Sequence, residues 1–483
     1  MSSEDVYPEG TDELFLSIKK AAKKLLNMGN RDVIFVFTHI DADGLSSGAI
    51  LAYTLFKLQK PFVLVPINQI HSKTIEYIEK TYAPEEAIFL DLGSGYIGQI
   101  LDSLNHLREL IILDHHIPGA LKTEPSIKVY HINPWLYNID GGKYISSSGL
   151  AYLLAISYKQ RFPEIIKLSR LAITGALGDS QDIGVQRDLL GINKLILNQA
   201  IHDNIIDAKI DLLFFGKEQK PLYRTLSEFY TLILPGITGS DDGAKKFLLD
   251  IGILDENRDP DTFYFRDLNS EEKNLLVEKL LERAIFNYSD ISNIDVLRDS
   301  LVGFVYYFKE DNIKITNDAR EFATILNACG KSGFPEMGIR FALTRSDELT
   351  RQIVKIVNDY KNEISRTISK ALKEISIKGN LCVINGQKFI SEGLSSTIAS
   401  IISRIIKREE SILIIISKAN YDMLKISARK CNNSNINLRD LLVKAVENIQ
   451  NASAGGHINA AGAYIPKESL ETFLENLTRL IKH

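Results

Sequence analysis

The segment Leu110-Ile111-Ile112-Leu113-Asp114-His115-His116 joins a short apolar run directly to one carboxylate and two imidazoles. A short apolar run followed at once by polar residues is typical of a strand that is buried on both faces and ends at the edge of a sheet. Two earlier segments repeat this arrangement: Val33–Phe37 leads into Thr38-His39-Ile40-Asp41-Ala42-Asp43-Gly44, and Ala87–Leu90 leads into Asp91. These segments predict a sheet whose strand ends carry acidic and imidazole side chains.

Apolar runs alternate with amphipathic stretches through the N-terminal part of the chain. The predicted strands are Val33–Phe37, Phe62–Pro66, Ala87–Leu90, Leu110–Leu113 and Ile127–Ile132. The predicted helices are Leu45–Leu58, Ser72–Tyr82, Tyr96–Leu107, Ser147–Lys159 and Glu164–Ala176. Buried strands that alternate with helices indicate a mostly parallel α/β sheet.

The remaining chain divides into a helical stretch and a second α/β pattern. From Asp188 to Leu343 the pattern is mainly helical, with strand-like pieces only near Thr262–Phe265 and Val302–Phe308. Ser346–Ile375 contains no glycine or proline, which favours a connecting helix. Beyond it, the predicted strands are Leu381–Ile384, Ser411–Ile416 and Met423–Ser427, and the predicted helices are Leu394–Lys407, Leu438–Asn448 and Leu470–Ile481.

We therefore predict an α/β protein in four parts. Residues 1–187 form a parallel-sheet domain, 188–345 a mainly helical insertion, 346–377 the connecting helix and 378–483 a smaller C-terminal α/β domain. A chain of 483 residues with 45% hydrophobic and 24% charged residues can bury a core of this size.

Composition excludes several classes of protein. The net charge of −4, from 57 basic and 61 acidic residues, argues against coating nucleic acid by bulk charge, although a local basic groove stays open. Three cysteines far apart in the chain indicate neither a disulfide framework nor a zinc site, so we expect a reducing cytoplasm. No apolar run approaches the ~18 residues of a membrane-spanning helix.

Ligands of open parallel sheets collect beyond the carboxyl ends of the strands, which here carry a set of potential metal ligands. The predicted helix that begins at Glu164 leads into one more carboxylate, Asp179. The complete set is His39, Asp41, Asp43, Asp91, Asp114, His115, His116 and Asp179. Each aspartate alone could be a helix N-cap or turn residue. Together, however, the carboxylates would repel one another without a cation. Mixed Asp/His ligands suit Mn²⁺ or Mg²⁺, and a pair of such ions suits in-line displacement at phosphorus.

The segments His39-x-Asp41-x-Asp43-Gly44, Asp91, Asp114-His115-His116 and Asp179 resemble the four motifs of the DHH phosphoesterase superfamily. That superfamily includes RecJ-type single-strand exonucleases, small-oligonucleotide phosphodiesterases and one class of inorganic pyrophosphatase. Near the C-terminus, Lys425-Ile426-Ser427-Ala428-Arg429 and the Gly455-Gly456-His457 segment resemble the DHH-associated substrate domain. The resemblance implies that Ser427, Arg429, Gly455, Gly456 and His457 bind substrate.

The likeness extends to archaeal RecJ-like nucleases. It is carried by Ile132-Asn133-Pro134-Trp135, by Asp318-Ala319-Arg320-Glu321-Phe322-Ala323 and by Asn327-Ala328-Cys329-Gly330, together with the helical insertion. Members of that group are associated with the GINS complex or with a repair helicase, and the sequence does not decide between these partners.

The resemblance also assigns roles at the sheet edge. It implies two Mn²⁺ or Mg²⁺ ions held by Asp41, Asp43, Asp91, His115 and Asp179, with His39 as a sixth ligand. Asp91 or Asp179 would bridge the ions. Asp114 would orient His115, and His116 would face the scissile phosphate as charge stabiliser or general acid.

These features leave three alternative hypotheses for the function. The first is a metal-dependent exonuclease that acts on single-stranded DNA or RNA in replication or repair. The second is a phosphodiesterase for short oligonucleotides or cyclic dinucleotides. The third is a non-catalytic scaffold of a replication complex. The complete set of ligand residues favours an enzyme over a scaffold.

Overall fold

A parallel five-stranded sheet organises the N-terminal part of the chain, in the strand order β2-β1-β3-β4-β5. The computed structural model describes residues 8–121, 124–287, 294–309, 316–344, 346–406, 411–420, 422–431, 435–456 and 458–481. The elements of this part are α1 (Thr11–Leu25), β1 (Ile34–His39), α2 (Ala42–Lys57), β2 (Phe62–Ile67), α3 (Ser72–Tyr82), β3 (Glu86–Leu90), α4 (Ile97–Ser103), β4 (Glu109–Leu113), β5 (Lys128–Ile132), α5 (Ser147–Ile156) and α6 (Ser169–Gly178).

The predicted parallel sheet is confirmed strand by strand, and the differences concern helices. α1 was not predicted; it packs against α5 and β5 through one buried face. The helix predicted over Tyr96–Leu107 already ends at Ser103. The one predicted over Glu164–Ala176 is divided, because Pro163–Leu168 forms a 3₁₀ turn before α6 begins.

Helices dominate the middle of the chain, as predicted, around a small antiparallel pair of strands. The elements are α7 (Gly191–His202), β6 (Ile206–Leu212), α8 (Leu222–Ser227), α9 (Asp241–Asp250), α10 (Ser270–Asn287), α11 (Ile294–Leu301), β7 (Val302–Phe308), α12 (Ala319–Lys331), α13 (Pro335–Thr344) and α14 (Asp347–Ala371). β6 pairs with β7 along its whole length.

Of the two strands predicted in this region, Val302–Phe308 is confirmed as β7 and Thr262–Phe265 was wrong, and the strand β6 was missed. Thr262–Phe265 does not form a strand: Tyr264 makes one isolated bridge with Pro221, and a 3₁₀ turn starts at Phe265. The Asp267 carboxylate accepts a hydrogen bond of 2.8 Å from the Tyr264 N–H and so closes that turn. β6 was missed because its partner β7 lies far along the chain.

A six-stranded sheet forms the C-terminal part, in the order β12-β13-β11-β10-β9-β8. Its elements are β8 (Ile375–Lys378), β9 (Leu381–Asn385), α15 (Glu392–Ile405), β10 (Ser411–Lys418), β11 (Met423–Cys431), α16 (Leu438–Val446), β12 (Ser453–Gly456), β13 (Ala460–Pro466) and α17 (Leu470–Ile481). β8, β12 and β13 were not predicted. The small residues of β12 and of the first part of β13 have low strand propensity, and pairing of β13 with β11 and of β12 with β13 decides their conformation.

One continuous apolar core joins the two sheets. It runs from α1 and one face of the N-terminal sheet through α12, α13 and α14 to α15 and the C-terminal sheet. The chain around α8–α11 has a separate core of its own. α12 therefore packs with the parallel sheet, although it lies inside the predicted insertion. Within the described residues, no helix combines the length and apolar character that crossing a membrane requires.

Close packing of α12 against the end of β1 yields a stability prediction. A Cβ atom on Gly330 would lie 1.6 Å from the carbonyl oxygen of Ile40, so the two backbones could not keep their approach. We expect Gly330→Ala to lower the free energy of unfolding by about 1–3 kcal/mol in urea titrations. Gly95→Ala is the control, since its Cβ would meet no atom closer than 3.9 Å. Equal stability of the two variants would contradict this packing.

Candidate metal centre

Three neighbouring parallel strands deliver polar side chains to one edge of the N-terminal sheet. β1 ends at His39, β3 is followed by Asp91, and β4 is followed by Asp114 and His115. Neighbouring strands are ~4.8 Å apart, so side chains at equivalent strand ends can bind the same metal ion. Asp41 and Asp43 follow β1 at the start of α2, and Asp179 follows α6.

The potential ligand atoms form three overlapping groups, in each of which all atoms lie within 4.8 Å of one another. The groups are His39–Asp41–Asp91, Asp43–Asp91–His115–Asp179 and Asp91–His115–His116. Asp91 belongs to all three groups. The structure thus brings together every predicted metal-binding residue, and of the larger predicted set only Asp114 stands outside the groups.

Asp91 occupies the centre of this arrangement. Its carboxylate lies 3.4 Å from His39 Nδ1, 3.4 Å from His115 Nε2 and 3.8 Å from His116 Nδ1. Its backbone is left-handed, with φ of 60°. Both Asp91 oxygens, His39 Nδ1 and His115 Nε2 are buried without a hydrogen bond from the described residues. Buried polar atoms are rarely left in this state, and cations bound in the groups that share Asp91 would satisfy them. The residues therefore fit a metal site.

Asp43 is fixed by the first turn of α5. Its two oxygens accept hydrogen bonds from the backbone N–H groups of Ser147 and Ser148, at 2.7 and 2.9 Å, where the helix dipole favours an anion. Glycine at position 175 makes room, because a Cβ there would lie 2.2 Å from Asp43 Oδ1. Burial, with the nearby charges of Asp91 and Asp179, raises the pKa of Asp43 well above its usual value.

Asp41 is both the N-cap of α2 and a member of the cluster. One oxygen accepts from the N–H of Gly44 at 3.0 Å, and the other lies 2.9 Å from His39 Nδ1. Burial acts to raise the pKa of Asp41, but the nearby charge of His39 outweighs this effect and leaves that pKa below the usual range. The N-cap and metal-ligand interpretations of this residue are compatible.

His115 is oriented by its surroundings from the opposite side. Its Nδ1 lies 2.7 Å from the carbonyl oxygen of Gly141. A carbonyl oxygen can only accept a hydrogen bond, so Nδ1 carries the hydrogen and the lone pair of the neutral ring lies on Nε2. Nε2 faces Asp179 at 3.0 Å. The buried side chain of Gln181 donates to the same Gly141 oxygen at 2.9 Å. Sequence reasoning missed Gln181, and its position two residues after Asp179 was the available signal.

Asp114 orients His116 rather than His115, which differs from the expectation. Its Oδ1 lies 2.8 Å from His116 Nδ1, and its Oδ2 accepts from the backbone N–H of Ser94 at 2.9 Å. Burial acts to lower the pKa of His116, but the Asp114 carboxylate outweighs it and raises that pKa. The His116 side chain is 45% exposed, so its ring borders open space beside the cluster.

The substrate-binding residues predicted in the C-terminal sheet lie in different settings. The Ser427 hydroxyl is buried and 2.9 Å from Ser395 Oγ. Arg429 Nε donates to Ser400 Oγ at 2.8 Å, which holds the guanidinium against α15. Gly455 and Gly456 lie in β12, and His457 lies outside the described residues. The substrate-binding role of this set stays a prediction.

Two lysines that the prediction did not single out lie where the two sheets face each other. Lys331, at the end of α12, donates to Thr397 Oγ1 of α15 at 3.3 Å and contributes to lowering the pKa of Asp41. Lys425 is buried on β11; burial lowers its pKa to about 8, against the opposing effect of Glu392. Both lysines therefore contact α15, and they place cationic groups between the two sheets.

Models of known protein families match three parts of the chain. Residues 33–176 match the N-terminal domain of the DHH family, residues 214–298 the DHH-CID domain and residues 378–483 the DHHA1 domain. An uncharacterized protein of Methanocaldococcus jannaschii is 30% identical over 472 residues, which cover 96% of both chains. The chain belongs to the DHH family. The resemblance drawn from the motifs is confirmed.

Solved structures share the DHH fold at low identity. RecJ from Thermus thermophilus in complex with Mn²⁺ has a TM-score of 0.57 at 16% identity; the match covers 100% of this chain but 56% of that RecJ. CDC45 from Entamoeba histolytica has a TM-score of 0.62 at 15% identity and 97% and 99% coverage. An exonuclease RecJ bound to manganese has a TM-score of 0.54 at 16% identity, and the match covers 97% of this chain and 94% of that one. At these identities the likeness concerns the fold.

The central place of Asp91 predicts how stability responds to metal. We expect Mn²⁺ to raise the melting temperature of the wild type, by a stabilisation of about 2.7 kcal/mol at one hundred times its Kd. Asp91→Asn should abolish this shift without lowering the melting temperature of the metal-free protein, because the substitution relieves repulsion between carboxylates. Asp102→Asn, a change at an exposed carboxylate of α4, should keep the shift. An Mn²⁺ shift that survives in Asp91→Asn would refute the site.

Proposed function

We propose that this DHH-family chain is a metal-dependent phosphodiesterase that hydrolyses single-stranded DNA or RNA from an end, using two Mn²⁺ or Mg²⁺ ions. The observation that carries the proposal is the overlap of three potential ligand groups at Asp91, with buried atoms that no donor among the described residues satisfies. In this proposal the ligands are His39, Asp41, Asp43, Asp91, His115 and Asp179. Membership of all three groups favours Asp91 over Asp179 as the bridging residue.

Bound Mn²⁺ or Mg²⁺ would supply a water of lowered pKa and positive charge for the phosphoryl oxygens. The chain's own groups prepare the site for these ions. The α5 N-terminus fixes Asp43, and the Gly141 carbonyl keeps the His115 lone pair on Nε2. These fixed contacts reduce the reorganisation that the site needs during reaction.

His116 is placed to act on the leaving group. Asp114 engages the ring at Nδ1, and the side chain borders open space beside the cluster. In this proposal Nε2, on the far side of the ring, donates a hydrogen bond or a proton to the oxygen that leaves phosphorus. Asp114 then acts through His116, by fixing the ring and favouring its protonated form.

Cationic groups support a polyanionic substrate. Lys331 lies at the end of α12, and Lys425 lies on β11. The Glu392 carboxylate accepts hydrogen bonds from Asn68 at 2.6 Å and from Tyr464 at 2.8 Å, which links the N-terminal part to the C-terminal sheet. In this proposal a single strand binds where these two parts meet.

A scaffold role is the second candidate, and one comparison favours it. The likeness to CDC45 extends over nearly the whole of both chains, at a TM-score of 0.62, although one RecJ structure is also matched over 94% of its length, at a TM-score of 0.54. The DHH-CID segment would then bind a partner such as the GINS complex or a repair helicase. The filled ligand positions around Asp91 favour the enzyme.

A degradation assay distinguishes these functions. We expect the wild type with Mn²⁺ to release mononucleotides from long single strands, and strands labelled at the 5′ or 3′ end report the polarity. His115→Ala should be inactive, since it removes a nitrogen that lies 3.0 Å from Asp179 and 3.4 Å from Asp91. Turnover of only di- to tetranucleotides would indicate the small-oligonucleotide function, and no cleavage of either substrate would leave the scaffold.

Substitution of His116 tests the leaving-group role separately from metal binding. We expect His116→Ala to lower kcat by about 10²–10⁴-fold, because the imidazole that supplies the proton or the hydrogen bond is lost. Its Mn²⁺ affinity in calorimetric titration should match that of the wild type, since the proposed ligands are all retained. Weakened Mn²⁺ binding would instead make His116 a ligand.

A further inference from the structure

Asp179 lies at the C-terminal end of α6, where the helix passes into a loop. α6 ends at Gly178, and Ser180 is left-handed with φ of 57°. The Asp179 N–H donates to the Gly175 carbonyl oxygen at 3.1 Å, and the N–H groups of Ser180 and Gln181 donate to the carbonyl oxygens of Leu177 and Ala176, at 3.1 and 3.0 Å. The helix therefore fixes the Asp179 backbone from one side, and contacts of the loop after Gln181 fix the chain on the other side.

Asp182 fixes that chain through two guanidinium groups. It is fully buried; its Oδ1 accepts from Arg187 Nη2 at 3.0 Å, and its Oδ2 lies 2.9 Å from Arg187 Nε. Arg320 Nη1 of α12 donates to the same Oδ2 at 2.5 Å. Arg320 Nη2 also donates to the Phe304 carbonyl oxygen of β7 at 3.3 Å. Asp182 thus joins the loop to α12 and β7.

The same helix contacts the other end of the metal cluster. Asn327 Oδ1 accepts a hydrogen bond of 3.1 Å from the backbone N–H of Ala42, the residue between Asp41 and Asp43. Arg320 and Asn327 are seven residues apart, which places them on the same side of α12 and about 10 Å apart along its axis. Gly330 packs against the Ile40 carbonyl directly before Asp41. α12 therefore contacts both segments that carry these ligands: the start of α2 with Asp41 and Asp43, and the chain that follows Asp179. We call these two segments the ligand loops.

We propose that Arg320 is a positioning residue of the metal site, which acts through Asp182 and, with Asn327, makes α12 the spacer between the two ligand loops. The inference rests on the proposed metal site. A buried ion pair contributes little net stability compared with apolar residues of the same shape, but it fixes a unique geometry. Fixed geometry is what a cluster with ligand atoms within 4.8 Å requires.

Mn²⁺ titration of the metal-free protein tests this role without relying on catalysis. We expect Arg320→Met, which keeps an unbranched apolar side chain but removes the guanidinium, to raise the Kd for Mn²⁺ by about ten- to a hundredfold, the usual effect of losing a supporting contact. Asp182→Asn should have a similar effect, and the double variant should be no worse than the more impaired single variant, because both substitutions disrupt the Arg320–Asp182 contact. Arg320→Lys should recover part of the affinity.

Arg340→Met is the matched control, since it removes an exposed arginine from the adjacent α13. Circular dichroism without metal establishes that each variant is folded at the titration temperature. Mn²⁺ affinity of Arg320→Met equal to that of Arg340→Met would overturn the proposal and leave the ion pair a structural contact. Should Arg320→Met not fold, Arg320→Lys and Asp182→Asn decide, and wild-type Mn²⁺ affinity in both would overturn it.

The catalytic consequence is separable from the proposed function. In the nuclease assay, Arg320→Met should lower kcat at limiting Mn²⁺, recover with excess Mn²⁺ and keep the KM for the strand. A wild type that binds Mn²⁺ but cleaves nothing would refute the proposed function, while the Kd comparison would still test Arg320. A raised KM with unchanged Mn²⁺ affinity would overturn the positioning role and make Arg320 a substrate contact.

Discussion

Gathering Asp41, Asp43, Asp91, Asp114 and Asp179 at one sheet edge creates an electrostatic repulsion that the surrounding structure has to balance. The carboxylates are balanced in different ways. Asp43 accepts from the first turn of α5, Asp41 from the first turn of α2, and Asp114 from Ser94 and His116. Asp91, which has none of these donors, is the residue around which the other groups converge. The negative charge without a hydrogen-bond donor is therefore concentrated at Asp91, where a bound cation would offset it.

The packing of the chain serves the same constraint. The main core runs without interruption from the parallel sheet through α12 to the C-terminal sheet, so one core supports both the acidic cluster and the C-terminal sheet. The helices around α8–α11 have a separate core. Glu321 of α12 accepts from the Gly216 N–H at 2.6 Å, which attaches this helical part to the element that spans the two ligand loops.

Local pattern was sufficient for much of the fold and insufficient for specific parts of it. The strands β3 and β4 of the parallel sheet are buried apolar runs, so their sequence shows them directly. β6 and β12 are stabilised by partners elsewhere in the chain, and their own residues are polar or small. The expected strand at Thr262–Phe265 failed for the opposite reason, because a local turn closed by Asp267 prevails over strand propensity.

The sequence by itself determined the family, the order of the strands along the chain and the identity of the residues at the sheet edge. These features depend on short motifs and on runs of apolar residues, and both can be recognised in the amino-acid sequence. Only the tertiary structure decided that Asp91 lies at the centre, that Asp114 pairs with His116, and that α12 contacts both ligand loops. Such relations depend on distances between segments far apart in the chain, and those distances are set by the packing of the whole core.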